Sequence, residues 1–170
     1  MSFLDLAKKR YSCRKLSAQP VEEEKLQKIL EARNLAPTAH NNQPLHIWLL
    51  ESAEAMEKVS QTTSFIFGAP VAFVVGSKAD DAWVRPFDKK NFADVDASIA
   101  ATHMMLAIED LGLGTTWVAH FDAPKLKELF PEMADYELVA IFPVGYPAED
   151  AAPSPRHAER VGVEKLADQL

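Results

Sequence analysis

The sequence predicts an α+β fold, because its candidate helices and strands are mixed along the chain without the strict alternation of a doubly wound parallel sheet. Apolar residues make up 48% of the 170 residues and charged residues 25%, which is typical of a globular protein. No repeat, low-complexity tract or linker interrupts the pattern. Residues 1–170 are therefore expected to form a single domain that is long enough to bury a core.

Two helices are predicted before residue 40. The first begins after Ser2, where Asp5 completes the spacing of a capping box. The second begins just after Pro20, with glutamates that complement its dipole, and Pro37 ends it. The side chains expected to face inward are Phe3, Leu6 and Ala7 of the first helix and Leu26, Ile29 and Leu30 of the second.

Four strands are predicted, over residues 45–50, 71–75, 115–120 and 138–144. The second is an unbroken apolar run, which indicates burial on both faces. A helix over 96–111 is apolar on nearly every side, so it lies either in the core or against another subunit, and Gly112 is its expected C-terminal cap. The other predicted elements are a helix over 53–61, a loop with some helix over 78–94, a helix capped by Asp122 with Pro124 in its first turn, and a short helix from Val163.

Composition argues against several classes of function. The net charge of -7 disfavours nucleic acid and anionic membranes, which need an extended basic surface. No apolar run reaches the ~20 residues of a membrane span, and the N-terminus lacks a signal peptide. Cys13 is the one cysteine, and the five histidines lack the spacing of a metal motif. No disulfide and no metal site are expected, and the predicted location is cytoplasmic.

Residues 10–15, Arg-Tyr-Ser-Cys-Arg-Lys, carry three positive charges in this acidic chain. Whether the segment is extended or helical, Arg10 and Arg14 project the same way, with Ser12 beside them if it is extended. Two guanidinium groups beside a hydroxyl suit a phosphate. A solvated basic patch that neutralises the end of the first helix explains the same residues, and the segment alone favours that second interpretation.

Residues 36–44, Ala-Pro-Thr-Ala-His-Asn-Asn-Gln-Pro, are rich in side-chain amides. Asn and Gln offer donors and an acceptor, the groups needed to bind the edge of a planar heterocycle. Alternatively, the segment is an Asx-type turn whose side chains satisfy local backbone groups.

Together the two segments resemble motifs of the FMN-dependent nitroreductases. Arg10-x-Ser12-x-Arg14 looks like their Arg-Arg-Ser-x-Arg phosphate motif, and residues 37–44 resemble their Pro-Ser-x-x-Asn-x-Gln-Pro-Trp segment. Further matching pieces follow in order, namely Ala69-Pro70, Asp96-Ala97, Leu111-Gly112-Leu113-Gly114-Thr115-Thr116-Trp117, Pro143-Val144-Gly145-Tyr146-Pro147 and Arg156. The chain departs from the pattern at Leu45, which replaces an aromatic residue, and at Ser154 and Pro155, where many members carry a lysine.

The resemblance implies a nitroreductase-like α+β fold, with a central mixed or antiparallel sheet flanked by helices, in an intertwined homodimer with FMN at the subunit interface. It implies that the phosphate and ribityl chain are held by Arg10, Tyr11, Ser12, Arg14 and Arg156, with charge from three arginines. The flavin ring would be approached from the neighbouring subunit by Pro37, Thr38, Ala39 and Asn41. It would be lined by Trp117, Val118 and Ala119.

The function implied is transfer of hydride from NAD(P)H, a transient electron donor, through FMN to a small electrophile such as a nitroaromatic or a quinone. No side chain is assigned a catalytic role, although His40 and His120 are expected near the substrate because their segments adjoin the flavin. The sequence has no Gly-x-Gly-x-x-Gly fingerprint, which suits a dinucleotide that binds transiently. Because protein is expected to cover one face of the flavin, donor and acceptor would use the other face in turn, and a ping-pong cycle is expected. Two alternatives stay open: a module that stores or senses FMN without turnover, and a phosphoanion-binding protein without flavin.

Overall fold

A four-stranded antiparallel sheet forms the centre of the molecule in the computed structural model, which describes residues 2–170. Its spatial order is β1-β2-β4-β3, and every neighbouring pair is antiparallel. The strands are β1 (Leu45–Leu50), β2 (Val71–Ser77), β3 (Gly114–Thr115) and β4 (Glu137–Gly145). The predicted α+β class is confirmed.

Five α-helices and five short 3₁₀ turns accompany the sheet in residues 2–170. The helices are α1 (Phe3–Lys9), α2 (Glu23–Asn34), α3 (Ala53–Ser60), α4 (Ala93–Asp110) and α5 (Ala123–Leu129). The turns are Ala39–Asn41, Ala79–Asp81, Pro131–Met133, Pro155–Ala158 and Val163–Lys165. No helix in these residues has the length and apolar character to cross a membrane.

The two faces of the sheet are covered by different helices. Alternate side chains of a strand point to opposite faces, so Phe73 joins a cluster with α2 and α4, whereas Val74 joins one with α3 and α5. All seven residues of β2 are buried. The predicted burial of this strand on both faces is confirmed.

Three of the predicted helix caps are found in the structure, whereas α2 is shorter than the predicted span from Pro20 to Pro37. Ser2 and Asp5 form the expected capping box, and Asp122 accepts the Lys125 N–H at the start of α5. Gly112 has a φ of 74° just beyond α4, in the left-handed region where glycine is favoured.

The strand predicted over residues 115–120 is wrong beyond its first residue. Gly114 and Thr115 pair regularly with β4, and Val118 pairs again with Ile141 as an isolated bridge. In the same register, Thr116 would face Pro143, which has no N–H to donate. Thr116 and Trp117 therefore leave the ladder.

Three other predictions need correction. Phe3 does not face inward but is 67% exposed. The short helix predicted from Val163 is a 3₁₀ helix of three residues, Val163–Lys165, and not an α-helix. The long helix begins at Ala93, three residues earlier than expected, because the Asn91 side chain accepts the Ala93 N–H at 2.9 Å and satisfies one of its free donors.

Candidate functional site

A pocket rich in arginine lies between the segment after α1 and the C-terminal tail. Its volume is about 240 Å³. The side chains that line it are Arg10, Ser12, Arg14, Ser154, Arg156, His157 and Arg160. We call it the arginine pocket.

The N-terminal wall of the arginine pocket is extended backbone held against the sheet. The Cys13 N–H donates to the Thr115 carbonyl at 2.9 Å, and Ser12 forms a parallel bridge with Thr115. Cys13 is fully buried. Because side chains alternate along extended backbone, Ser12 and Arg14 point to the opposite side, as the sequence predicted for that conformation.

The other wall is the turn Pro155–Ala158, which docks on the end of α1. The Ser154 hydroxyl accepts the Arg156 N–H, and the His157 ring Nε2 lies 3.2 Å from the Lys8 carbonyl. The His157 ring also contacts the Tyr11 ring edge-on. These contacts bring Arg156 and Arg160 to the pocket.

The positive charge of the arginine pocket is not neutralised by the protein. Within residues 2–170, Arg10, Arg14, Arg156 and Arg160 form no ion pair with a carboxylate, although Lys9, Lys15 and Arg85 each have an acidic partner. Tyr11 contributes no compensating charge, because burial raises its pKa to about 12, helped by its hydrogen bond with Cys13. Four guanidinium groups in one pocket favour a strongly charged anion.

A second, apolar pocket adjoins the first through Arg14, which lines both. Its volume is also about 240 Å³. The other lining residues are Phe65, Phe67, Thr116, Trp117, Val118, Ala119 and His120. We call it the ring pocket, because its aromatic and aliphatic walls suit a flat heterocycle.

The walls of the ring pocket are fixed by packing. Trp117 packs edge-on against the buried Phe142, with ring centroids 5.2 Å apart. The ring centroid of Phe65 lies 5.8 Å from that of Phe67 and 5.5 Å from that of His120. The interruption of the ladder at Trp117 thus places a large aromatic residue beside the cavity.

The amide-rich segment lies elsewhere in the chain's own fold. Pro37, Thr38, Ala39, His40 and Asn41 line neither the arginine pocket nor the ring pocket. His40 instead stacks on Trp83, with ring centroids 5.4 Å apart and planes 14° apart. One chain does not bring this segment to the two adjoining pockets.

The amide-rich segment has a strained backbone, and a hydrogen bond to helix α4 holds it in place. His40, Asn41 and Gln43 all have positive φ, between 53° and 56°, which is uncommon for residues other than glycine. Asp96 of α4 accepts the Ala39 N–H at 2.9 Å. Its second oxygen, Oδ2, is buried without a hydrogen-bond partner in the part of the chain that the structure describes.

Sequence reasoning missed several lining residues. Arg160 lines the arginine pocket beside the three expected arginines, and its position four residues after Arg156 was the available signal. Phe65 and Phe67 line the ring pocket, and their aromatic alternation next to Gly68 was the available clue. Ser154 and His157 depend on the docking of the tail, which no local pattern indicates.

Comparison with known proteins assigns a family to this geometry. The model of the nitroreductase family matches residues 7–64 and 61–146. A protein of Methanothermobacter thermautotrophicus, named provisionally as an NADH dehydrogenase/NAD(P)H nitroreductase, is 30% identical over 88% of this chain and 80% of its own. The FMN reductase [NAD(P)H] of Bacillus subtilis is 29% identical over 85% of this chain and 66% of its own.

Solved structures share the fold over nearly the whole chain. A nitroreductase family protein of Clostridium difficile has a TM-score of 0.91 and 37% identity, covering 99% of this chain and 98% of its own. A protein of Exiguobacterium sibiricum, solved in complex with FMN, has a TM-score of 0.84 at 17% identity, covering 100% of this chain and 98% of its own. At that identity the second likeness concerns the fold alone.

Proposed function

Because the chain belongs to the nitroreductase family, we propose that it is an FMN-dependent oxidoreductase that moves hydride from NAD(P)H to a small electrophile such as a nitroaromatic or a quinone. The observation that carries this proposal is the arginine pocket, whose four guanidinium groups form no ion pair within residues 2–170, adjoining an apolar ring pocket through Arg14. A phosphate and a planar ring joined by a short chain fit these two cavities.

The residues present fit FMN at both ends. Arg10, Arg14, Arg156 and Arg160 would hold the phosphate through paired charge-assisted hydrogen bonds, with Ser12 and Tyr11 beside them. Trp117, Val118 and Ala119 would lie along the ring. When bound, FMN supplies the hydride chemistry, while the protein supplies binding, orientation and electrostatics.

We further propose that a second copy of the chain completes the site. Pro37, Thr38, Ala39 and Asn41 reach neither pocket within one chain, so their expected contact with the ring requires a partner subunit. The outer face of α4 provides a surface for that partner, because Val95 and Ile99 line a shallow groove of about 550 Å³ along it.

Of the two histidines expected near the substrate, His120 lines the ring pocket and His40 does not. His120 is exposed and contacts Phe65, so it is the better candidate to touch a substrate from the same chain. The proposed chemistry needs neither histidine as a catalytic group.

The test is to measure flavin absorbance of the purified protein and its NADH or NADPH oxidation with a quinone acceptor. We expect a visible flavin spectrum and quinone-dependent turnover. FMN binding without turnover would favour the storage alternative. Failure to bind FMN while binding inorganic phosphate would favour the phosphoanion alternative.

A further inference from the structure

A third cavity opens next to the ring pocket and differs from it in chemistry. Its volume is about 560 Å³, and it shares Ala119 and His120 with the ring pocket. Its other walls come from the polar end of α3 and from the residues before α5. A molecule stacked on a flavin ring held in the ring pocket can therefore extend into this polar compartment.

The walls of this polar compartment are tied together by hydrogen bonds. The buried Thr63 hydroxyl donates to the His120 carbonyl at 2.7 Å and accepts the Phe65 N–H at 3.2 Å. The Asp122 N–H donates to the Thr62 carbonyl at 2.9 Å. Because these hydrogen bonds join the two wall segments directly, the compartment is preformed.

The groups left over for a ligand are neutral or acidic. Among the residues described, the side chains of Gln61 and Ser64 make no intramolecular hydrogen bond, and Asp122 uses only its Oδ1, which accepts the Lys125 N–H. Within residues 2–170, no lysine or arginine lines the compartment, and His120 is its one lining side chain that can carry positive charge. The other polar side chains offer donors and acceptors to amides and hydroxyls.

We infer that this compartment binds an uncharged hydroxyl or amide group of the molecule that reacts at the flavin ring, and that it disfavours an anionic substituent there. The inference rests on the proposed function, since it assumes that FMN occupies the ring pocket and that a substrate stacks on its exposed face. Gln61 and Ser64 would form the hydrogen bonds, and Asp122 would repel negative charge. The group bound there is thus a neutral polar substituent of an aromatic acceptor, or the nicotinamide carboxamide or ribose hydroxyls of the electron donor.

The test compares two acceptors that differ in one group, para-nitrobenzyl alcohol and para-nitrobenzoate, in the FMN-loaded protein. The alcohol should have the higher kcat/KM in the wild type. In Asp122→Asn, the ratio of the two kcat/KM values should fall roughly threefold, the size expected for one partly solvated charge. Asn also serves as a helix N-cap, so α5 is preserved. Glu31→Gln, an exposed charge change on α2, should leave the ratio at its wild-type value.

Gln61→Ala distinguishes the two sources of the neutral group. A severalfold fall in kcat/KM for para-nitrobenzyl alcohol alone would identify the acceptor as the occupant, and a fall for NADH alone would identify the donor. If neither value changes and Asp122→Asn leaves the acceptor ratio unchanged, the inference is wrong. A wild type that binds FMN and reduces menadione in that case retains the proposed function.

Discussion

Arg14 connects the two parts of the proposed FMN site, because its side chain lines both the arginine pocket and the ring pocket. Arg10 lines the arginine pocket alone. Neither forms an ion pair in residues 2–170, whereas the neighbouring Lys9 is paired with Glu109 at 3.2 Å. Lys9 and Arg10 are adjacent in the sequence but differ in role, because Lys9 forms an ion pair and Arg10 lines the arginine pocket.

Replacing one of these arginines should weaken FMN binding. Loss of a charge-assisted pair costs about 1.5–3 kcal/mol, roughly a ten- to hundredfold rise in the Kd for FMN. We expect Arg10→Ala and Arg14→Ala to purify pale, and Lys9→Ala to stay yellow. FMN titrations followed by absorbance or fluorescence quenching measure the Kd, and unchanged values in both arginine variants would refute the phosphate assignment.

At this scale the sequence predicted much of the candidate site, because alternation along extended backbone fixes where neighbouring side chains point. It placed Arg10, Ser12 and Arg14 on one face. The spacing of Arg160 from Arg156 did not suffice to place it, because the tail that carries both residues docks on α1, where His157 Nε2 lies 3.2 Å from the Lys8 carbonyl. That contact joins residues far apart in the chain.

At the scale of elements, the sequence predicted the features that depend only on residues near one another in the chain. The prediction for residues 45–50 matches β1, and the caps at Ser2, Asp122 and Gly112 were all found. The error over 115–120 has a non-local cause, because Pro143 of β4 interrupts the ladder opposite Thr116. Local β propensity carries no information about the opposing strand.

The tail turn Pro155–Ala158 is an element whose removal should affect binding more than folding. Deleting residues 154–170 removes Arg156 and Arg160, while the two large buried clusters contain no residue from this segment. We expect the Kd for FMN to rise at least as much as in the single arginine variants. The melting temperature of the FMN-free protein should change little.

The matched control for that deletion removes only residues 161–170, which leaves every residue of the arginine pocket in place. It should bind FMN like the full chain. Equal FMN affinity for both shortened proteins would show that the tail does not contribute to the phosphate site.

At the scale of the whole molecule, the proposed site requires two chains. The outer face of α4 leaves Val95 36% exposed, and we propose that this face packs against another subunit, one of the two alternatives that the sequence left open for this helix. We expect a dimer by light scattering at micromolar concentration, with FMN affinity falling on dissociation. A monomer that binds FMN tightly would contradict a site shared between subunits.

The substitution Val95→Lys should show whether FMN binding depends on the dimer. It places a charge in the α4 groove but lies outside both proposed FMN pockets, and burying an unpaired charge disfavours association. Light scattering should show more monomer, and FMN titration should show weaker binding. Glu31→Gln, on the exposed side of α2, changes the net charge by the same single unit and should remain dimeric.

The kinetic order of the reaction is also a property of the whole molecule. The chain has no fingerprint for a resident dinucleotide, and a single ring pocket adjoins the arginine pocket through Arg14 in the part of the chain that the structure describes. If protein covers one face of the bound ring, donor and acceptor must occupy the remaining face in turn. NAD(P)⁺ must then leave before the acceptor enters, which is a ping-pong cycle.

Initial rates with NAD(P)H varied at several quinone concentrations should give parallel double-reciprocal lines, and each substrate should compete with the other at high concentration. Intersecting lines would mean that donor and acceptor are bound together, and that one shared face is the wrong description of this site.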